Sequence, residues 1–194
     1  MAFFDPEAPL VIHRGKLPHW RQEGAIFFVT FHLADSLPQT KLEWLRREKE
    51  LWLRLNREPH TDSQKREYHE RFTQTVDRWL DAGCGRCILA HPDYKTIMES
   101  SLLHFDGKRY ELGEFVVMPN HVHAIVATIG EHQLTSILHS WKSFSAHKFN
   151  RILVSSGRIW LPESFDHIVR SAEHLAKFEA YIRNNANHHT SPPR

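Results

Sequence analysis

Two histidines one residue apart, in Asn120-His121-Val122-His123, stand where the surrounding sequence is rich in β-branched and apolar residues. On a strand, alternate side chains share a face, so both imidazoles point one way while Val122 and Ala124 point the other. Such a pair can hold a divalent cation, although two ligands leave the coordination incomplete and the same pair also suits an ordinary surface strand. Near the C-terminus, Tyr181-Ile182-Arg183-Asn184-Asn185 places a phenol and a carboxamide four residues apart, on one face of a helix. The Asn185 amide oxygen could complete a His, His, Asn set, and this mixture of oxygen and imidazole suits Mg²⁺ or Mn²⁺ bound against phosphate oxygens. Tyr181 beside that cation could attack a phosphodiester and form a covalent phosphotyrosine. The same residues also fit a plainer account, with Tyr181 a polar-tipped aromatic of an amphipathic helix and Asn185 its C-terminal cap.

The elements that must position these groups can be read from periodicity. Residues 24–33 predict a buried strand ending at Ser36-Leu37-Pro38. Leu42, Leu45, Trp52 and Leu55 predict a helix from Gln39 to about Asn56, and Tyr68, Phe72, Val76, Trp79 and Leu80 a second one ending at Gly83. Together, 39–82 is expected to be a helical hairpin inserted in the domain, with a buttressing role and no chemistry. A helix follows from His91-Pro92-Asp93 to Leu103, then strands at Tyr110–Met118 and His121–Thr128 joined at Pro119-Asn120, a helix over 133–153 and a last helix over 172–185. This order predicts an α+β domain spanning 1–194, in which helices cover one face of an antiparallel sheet and leave the other for a ligand. Residues 186–194 are expected to form a frayed tail.

With 194 residues, 41% hydrophobic and 25% charged, the chain is of globular composition. Its apolar runs are too short to span a membrane, and an acid and a proline at Asp5-Pro6 interrupt any signal-peptide pattern, so a cytoplasmic location is expected. A net charge of +2 excludes a global electrostatic field for nucleic acid, so any contact must be local. Cys84 and Cys87 make neither a disulfide framework nor a four-ligand zinc site, and are read as small turn or core residues.

The segments Leu17-Pro18-His19-Trp20, Phe28-Val29-Thr30-Phe31, Met118-Pro119-Asn120-His121-Val122-His123-Ala124-Ile125-Val126, Trp141-Lys142-Ser143-Phe144-Ser145, Phe165-Asp166-His167-Ile168-Val169-Arg170 and Tyr181-Ile182-Arg183-Asn184-Asn185 occur in that order. In this combination the chain resembles the REP-associated tyrosine transposases, a branch of the HUH single-strand transposases related to IS200-type insertion-sequence enzymes. The resemblance implies a ferredoxin-like or RRM-like sheet, metal held by His121, His123 and Asn185, and Tyr181 as the nucleophile that leaves a 5′-phosphotyrosine and a 3′-hydroxyl. It implies a single-stranded or hairpin DNA partner of the REP palindrome type, bound by a monomer or a homodimer. Expected phosphate contacts are Arg14, Lys16, Arg21, Lys142, Lys148, Arg170 and Arg183. The chain departs from the family after Asn185, where Ala186-Asn187-His188-His189 replaces the usual Asn-Pro-Val and basic continuation. Other readings are a hairpin-binding protein that no longer cuts, an RRM-like RNA-binding module whose glycine-aromatic signature is not evident here, and a metal-dependent hydrolase unrelated to DNA.

Overall fold

The computed structural model describes residues 11–14, 18–21, 24–57 and 59–188. A short antiparallel hairpin of β1 (Val11–Arg14) and β2 (Pro18–Arg21) precedes the main sheet. The main sheet contains β3 (Ile26–His32), β4 (Tyr110–Val117), β5 (His121–Thr128) and β6 (Phe165–Ile168) in the order β4-β5-β3-β6, with every pair antiparallel. A strand, a helical crossover, a strand pair, a second helical crossover and a fourth strand beside the first make the ferredoxin-like arrangement anticipated above.

Between β3 and β4 run α1 (Gln39–Leu55), α2 (Asp62–Tyr68), a π-helical turn (His69–Thr73), α3 (Gln74–Asp81) and α4 (Pro92–Leu103). The second arm of the expected helical hairpin is therefore bent at a π turn, as if one residue were inserted into the ladder. Leu45 and Trp52 of α1 pack with Phe72, Val76 and Leu80, giving this insertion a small core of its own. Pro92 opens α4, where its missing N–H costs nothing, and the His91 side chain caps it by accepting from the Asp93 N–H. α5 (Leu134–Leu153) forms the second crossover, and α6 (Ala172–His188) follows β6.

Phe27, Val29 and Phe31 of β3 and Val122, Ala124 and Val126 of β5 face one side, where α4 and α5 cover them with Met98, Leu102, Ile137, Leu138, Trp141 and Phe149. The other side carries Ile26 and Phe28 with Ile125 and Ala127, and Leu175, Phe178 and Ile182 of α6 pack there. The face expected to be open to ligand is thus half roofed by the last helix, which carries the tyrosine. The fourth strand was not evident from sequence, because β6 has only four residues and two of them, Asp166 and His167, are polar. It forms an edge beside β3, where pairing needs only one hydrogen-bonded side.

Candidate active site

His121 and His123 occupy the α6 side of β5, opposite His32 and Thr30 of β3 in register. Both are fully buried, at 0% exposure. Their Nε2 atoms converge to 2.9 Å. That separation matches two neighbouring ligand atoms each about 2.1 Å from one centre at right angles, so the pair fits a divalent cation. The supporting hydrogen bonds favour the same use. Asn120 Nδ2 donates to the Leu80 and Cys84 carbonyls at 3.1 and 3.0 Å, which turns its Oδ1 towards His121 Nδ1 at 2.7 Å. An acceptor at that position fixes the proton on Nδ1 and leaves Nε2 with a lone pair. His123 Nδ1 lies 2.8 Å from Thr30 Oγ1. A hydroxyl can donate or accept, so Thr30 serves either tautomer: His123 Nε2 carries the proton and bonds to His121 in the bare site, or gives it up to become a second ligand. Burial lowers the His123 pKa to about 3, which keeps the imidazole neutral and able to ligate.

Tyr181 is delivered by α6. Its ring meets the His123 ring edge-on at a centroid distance of 5.2 Å and the Phe28 ring at 6.0 Å. Its hydroxyl is buried with no hydrogen-bond partner, as is Nδ2 of Asn185 one turn further along. Two unsatisfied polar atoms beside two convergent imidazoles are costly unless a ligand is to meet them. Burial, and then the negative charge of Asp77 and Asp81, raise the phenol above its ordinary range, with the Asn185 carboxamide opposing. The fold therefore brings His121, His123, Tyr181 and Asn185 to one place, although His121 and Tyr181 are 60 residues apart in sequence. Among the described residues, no group of three or more His, Cys, Asp or Glu side chains is placed to hold a metal ion.

Three polar neighbours of the site were not singled out by the sequence reading. His32, across from His121, bonds through Nδ1 to Ser36 Oγ at 2.6 Å, stacks on Phe165 and is held at a pKa of about 4 by burial. Its place on the site face could have been found from the alternation Phe28, Thr30, His32. Asp77 and Asp81 come from α3, and Asp81 Oδ1 lies 3.8 Å from His121 Nε2.

The expected DNA contacts are scattered. Lys142 Nζ donates to the carbonyls of Leu161, Pro162 and Glu163 and to Ser164 Oγ, at 2.6–3.2 Å, so it ties down the loop before β6. Its burial lowers its pKa to about 8. Lys148 lies over the Phe144 ring on α5, which covers the sheet face away from the histidines. Arg183 is exposed and paired with Glu114 and Glu179. Arg170 is exposed after β6. Arg14 and Arg21 end β1 and β2, their side chains being outside the described residues, as are Lys16 and residues 189–194.

A ferredoxin-like sheet that sets a histidine pair against a helix-borne tyrosine defines a class of α+β protein with a buried polar site between sheet and last helix. The sequence family described as "Transposase IS200 like" matches residues 89–185, half of the 194-residue chain, and the chain belongs to that family. No curated protein matches it significantly. Among solved structures, the chain is similar to a REP-associated tyrosine transposase bound to a REP hairpin, with 17% identity, a TM-score of 0.45 and coverage of 90% of this chain and 74% of that one. It is also similar to a putative transposase from Deinococcus radiodurans R1, with 14% identity, a TM-score of 0.37 and coverage of 95% and 98%. Among the described residues, no helix is long and apolar enough to cross a membrane.

Proposed function

We propose that this transposase-family protein is a metal-dependent single-strand DNA endonuclease and strand transferase that acts on palindromic, REP-like hairpins through Tyr181. The observation that carries this reading is the meeting of a buried, unsatisfied Tyr181 hydroxyl with the convergent His121 and His123 nitrogens. His121, His123 and Asn185 would hold Mg²⁺ or Mn²⁺, which would supply positive charge against the scissile phosphate and ease ionisation of the phenol. Tyr181 Oη attacks phosphorus, the bond from phosphorus to O3′ breaks, the phenol proton leaves to solvent, and the 3′-oxygen takes one up. The product is a 5′-phosphotyrosine and a 3′-hydroxyl. A 3′-hydroxyl from another strand reverses the exchange, so the bond energy is retained and joining needs no nucleotide cofactor.

A single strand suits the site better than a duplex, because its reactive atoms are buried between sheet and helix and a base-paired backbone would have to unpair to reach them. The test is cleavage of end-labelled single-stranded oligonucleotides carrying palindromic repeats from the protein's own genome, with Mn²⁺ or with EDTA. The expected result is a cut at one flank of the hairpin with Mn²⁺ alone. Tight hairpin binding with no cutting in either condition would replace this reading with that of a hairpin-binding protein.

A further inference from the structure

We infer that the inserted helical segment is part of the DNA-binding surface: Lys49 of α1 binds a backbone phosphate of the single strand whose scissile bond lies at Tyr181. This rests on the single-strand DNA reading above. His123, Thr30 and Phe165 form one cross-strand row over β5, β3 and β6 in register, so all three side chains stand on the α6 side of the sheet. Phe165 also stacks on His32, the register partner of His121, at a centroid distance of 6.2 Å. The Lys49 ammonium lies over the Phe165 ring, 4.8 Å from its centroid. Neighbouring strands are about 4.8 Å apart, so the row spans about 10 Å and one strand of DNA can run from the histidines to Lys49.

The ammonium is held in place but not satisfied. Tyr68 and Phe72 add two more aromatic rings, at 5.8 and 5.9 Å, and both pack in the insertion's own core, against which Phe165 is also packed. Aromatic faces attract a cation, but they do not replace the acceptors that its three N–H donors would find in water. Among the described residues, Lys49 donates no hydrogen bond and forms no salt bridge. Lys142 differs, since its amine is spent on the carbonyls of Leu161, Pro162 and Glu163 and on Ser164 Oγ. The Glu163 carboxylate acts on both amines through its charge. Burial, opposed by that charge, lowers the Lys49 pKa to about 8, so the amine is mostly charged at neutral pH yet shielded from water. Packing alone would be served as well by an apolar side chain of similar length. An amine here is explained by an anion that supplies the missing acceptors, and the phosphodiester backbone is the anion the proposed substrate brings. α1 lies before the family-matched stretch at 89–185, so this contact comes from outside it.

The test is binding of the full chain to a fluorescent single-stranded oligonucleotide carrying a palindromic repeat and its unpaired flanks, with EDTA and with Mn²⁺, over a series of salt concentrations. Wild type, Lys49→Met, Lys49→Arg and Lys41→Met are compared, with thermal melts showing that each is folded. Methionine keeps the apolar stem without the charge and arginine keeps the charge, while Lys41, which lies over Trp79 on the same helix, is the control. In Lys49→Met, binding is expected to weaken about 10-fold, and the slope of log affinity against log salt to fall by about 0.7, the contribution of one single-strand phosphate. Lys49→Arg should recover most of that slope, and Lys41→Met should keep the wild-type value. A Lys49→Met chain that melts lower but binds with an unchanged slope would overturn the inference and leave the DNA reading standing. An equal loss of slope in Lys41→Met would also overturn it, because the insertion would then act only through its overall charge. Wild type that binds the oligonucleotide in neither condition would overturn both.

Discussion

The two faces of β5 are equally buried and chemically unlike. All eight residues of β5 are buried, yet Val122, Ala124 and Val126 enter an apolar layer under α4 and α5, whereas His121 and His123 enter a pocket that also holds Thr30, Asp77 and Tyr181. On the first face, polar atoms are few and paired, as where Trp141 Nε1 donates to Tyr110 Oη and that hydroxyl donates to the Leu102 carbonyl. On the second, Tyr181 Oη and Asn185 Nδ2 are buried without partners. Burial alone therefore does not separate core from site. What separates them is whether the buried polar groups are satisfied within the chain.

Substitutions on the two faces should divide mainly between stability and activity. The largest effect is expected from Tyr181→Phe, which removes one oxygen that bonds to nothing: cleavage falls at least about 10³-fold, while the melting temperature and hairpin affinity stay near wild type. Cleavage kinetics together with thermal melts check this, and a comparable loss of stability would mean that the phenol belongs to the core. The mirror case is Trp141→Ala on the apolar face. It should cost about 3–5 kcal/mol of stability through the cavity left behind, read by denaturant unfolding, with residual folded protein still cutting. Thr30→Val keeps shape but removes the hydroxyl beside His123. Cleavage should fall about 10- to 100-fold, with unfolding free energy lowered by about 1–3 kcal/mol because His123 Nδ1 is left buried without a partner, and extra Mn²⁺ should recover part of the cleavage.

The smallest effect expected is on the pH dependence of the metal-free protein. Burial, and then the Asp81 carboxylate, raise the Asp77 pKa from its ordinary 3.8 to about 7. Folding then favours the protonated acid, so its contribution to stability is complete below the ordinary carboxylate range and is lost as pH rises through about 7. Asp77→Asn, which cannot ionise, should melt with wild type near pH 4 and a few degrees above it at pH 8, in EDTA. Melting curves across that range check the sign, and an advantage confined to low pH would contradict it.

What the sequence made legible was the chemistry carried inside regular elements. A strand puts His121 and His123 on one face, and a helix does the same for Tyr181 and Asn185, so each pair could be found from spacing alone. The order of the helices and of β3, β4 and β5 was also readable, because periodicity and the stops at Pro38, Gly83 and Pro92 mark it, whereas β1, β2 and β6 were too short to show a pattern. The joining of the pairs depended on tertiary placement: that α6 crosses the histidine face is decided by Phe178 and Ile182 packing on Phe28 and its neighbours, and nothing local encodes it. The acids of α3 were hidden for the same reason, since Asp77 and Asp81 look like ordinary solvated charges until Asn120 joins their helix to β5. Lys142 was read from its charge, but its surroundings assign it to the loop at 161–164.

The most direct test of the central claim is to locate the covalent bond. Wild-type protein is incubated with a palindromic oligonucleotide and Mn²⁺, denatured, treated with nuclease and protease, and mapped by mass spectrometry. The account predicts a peptide containing Tyr181 that carries a 5′-linked nucleotide phosphate, absent with EDTA. A nucleotide on any other residue, or cleaved DNA with no protein-linked nucleotide, would contradict it.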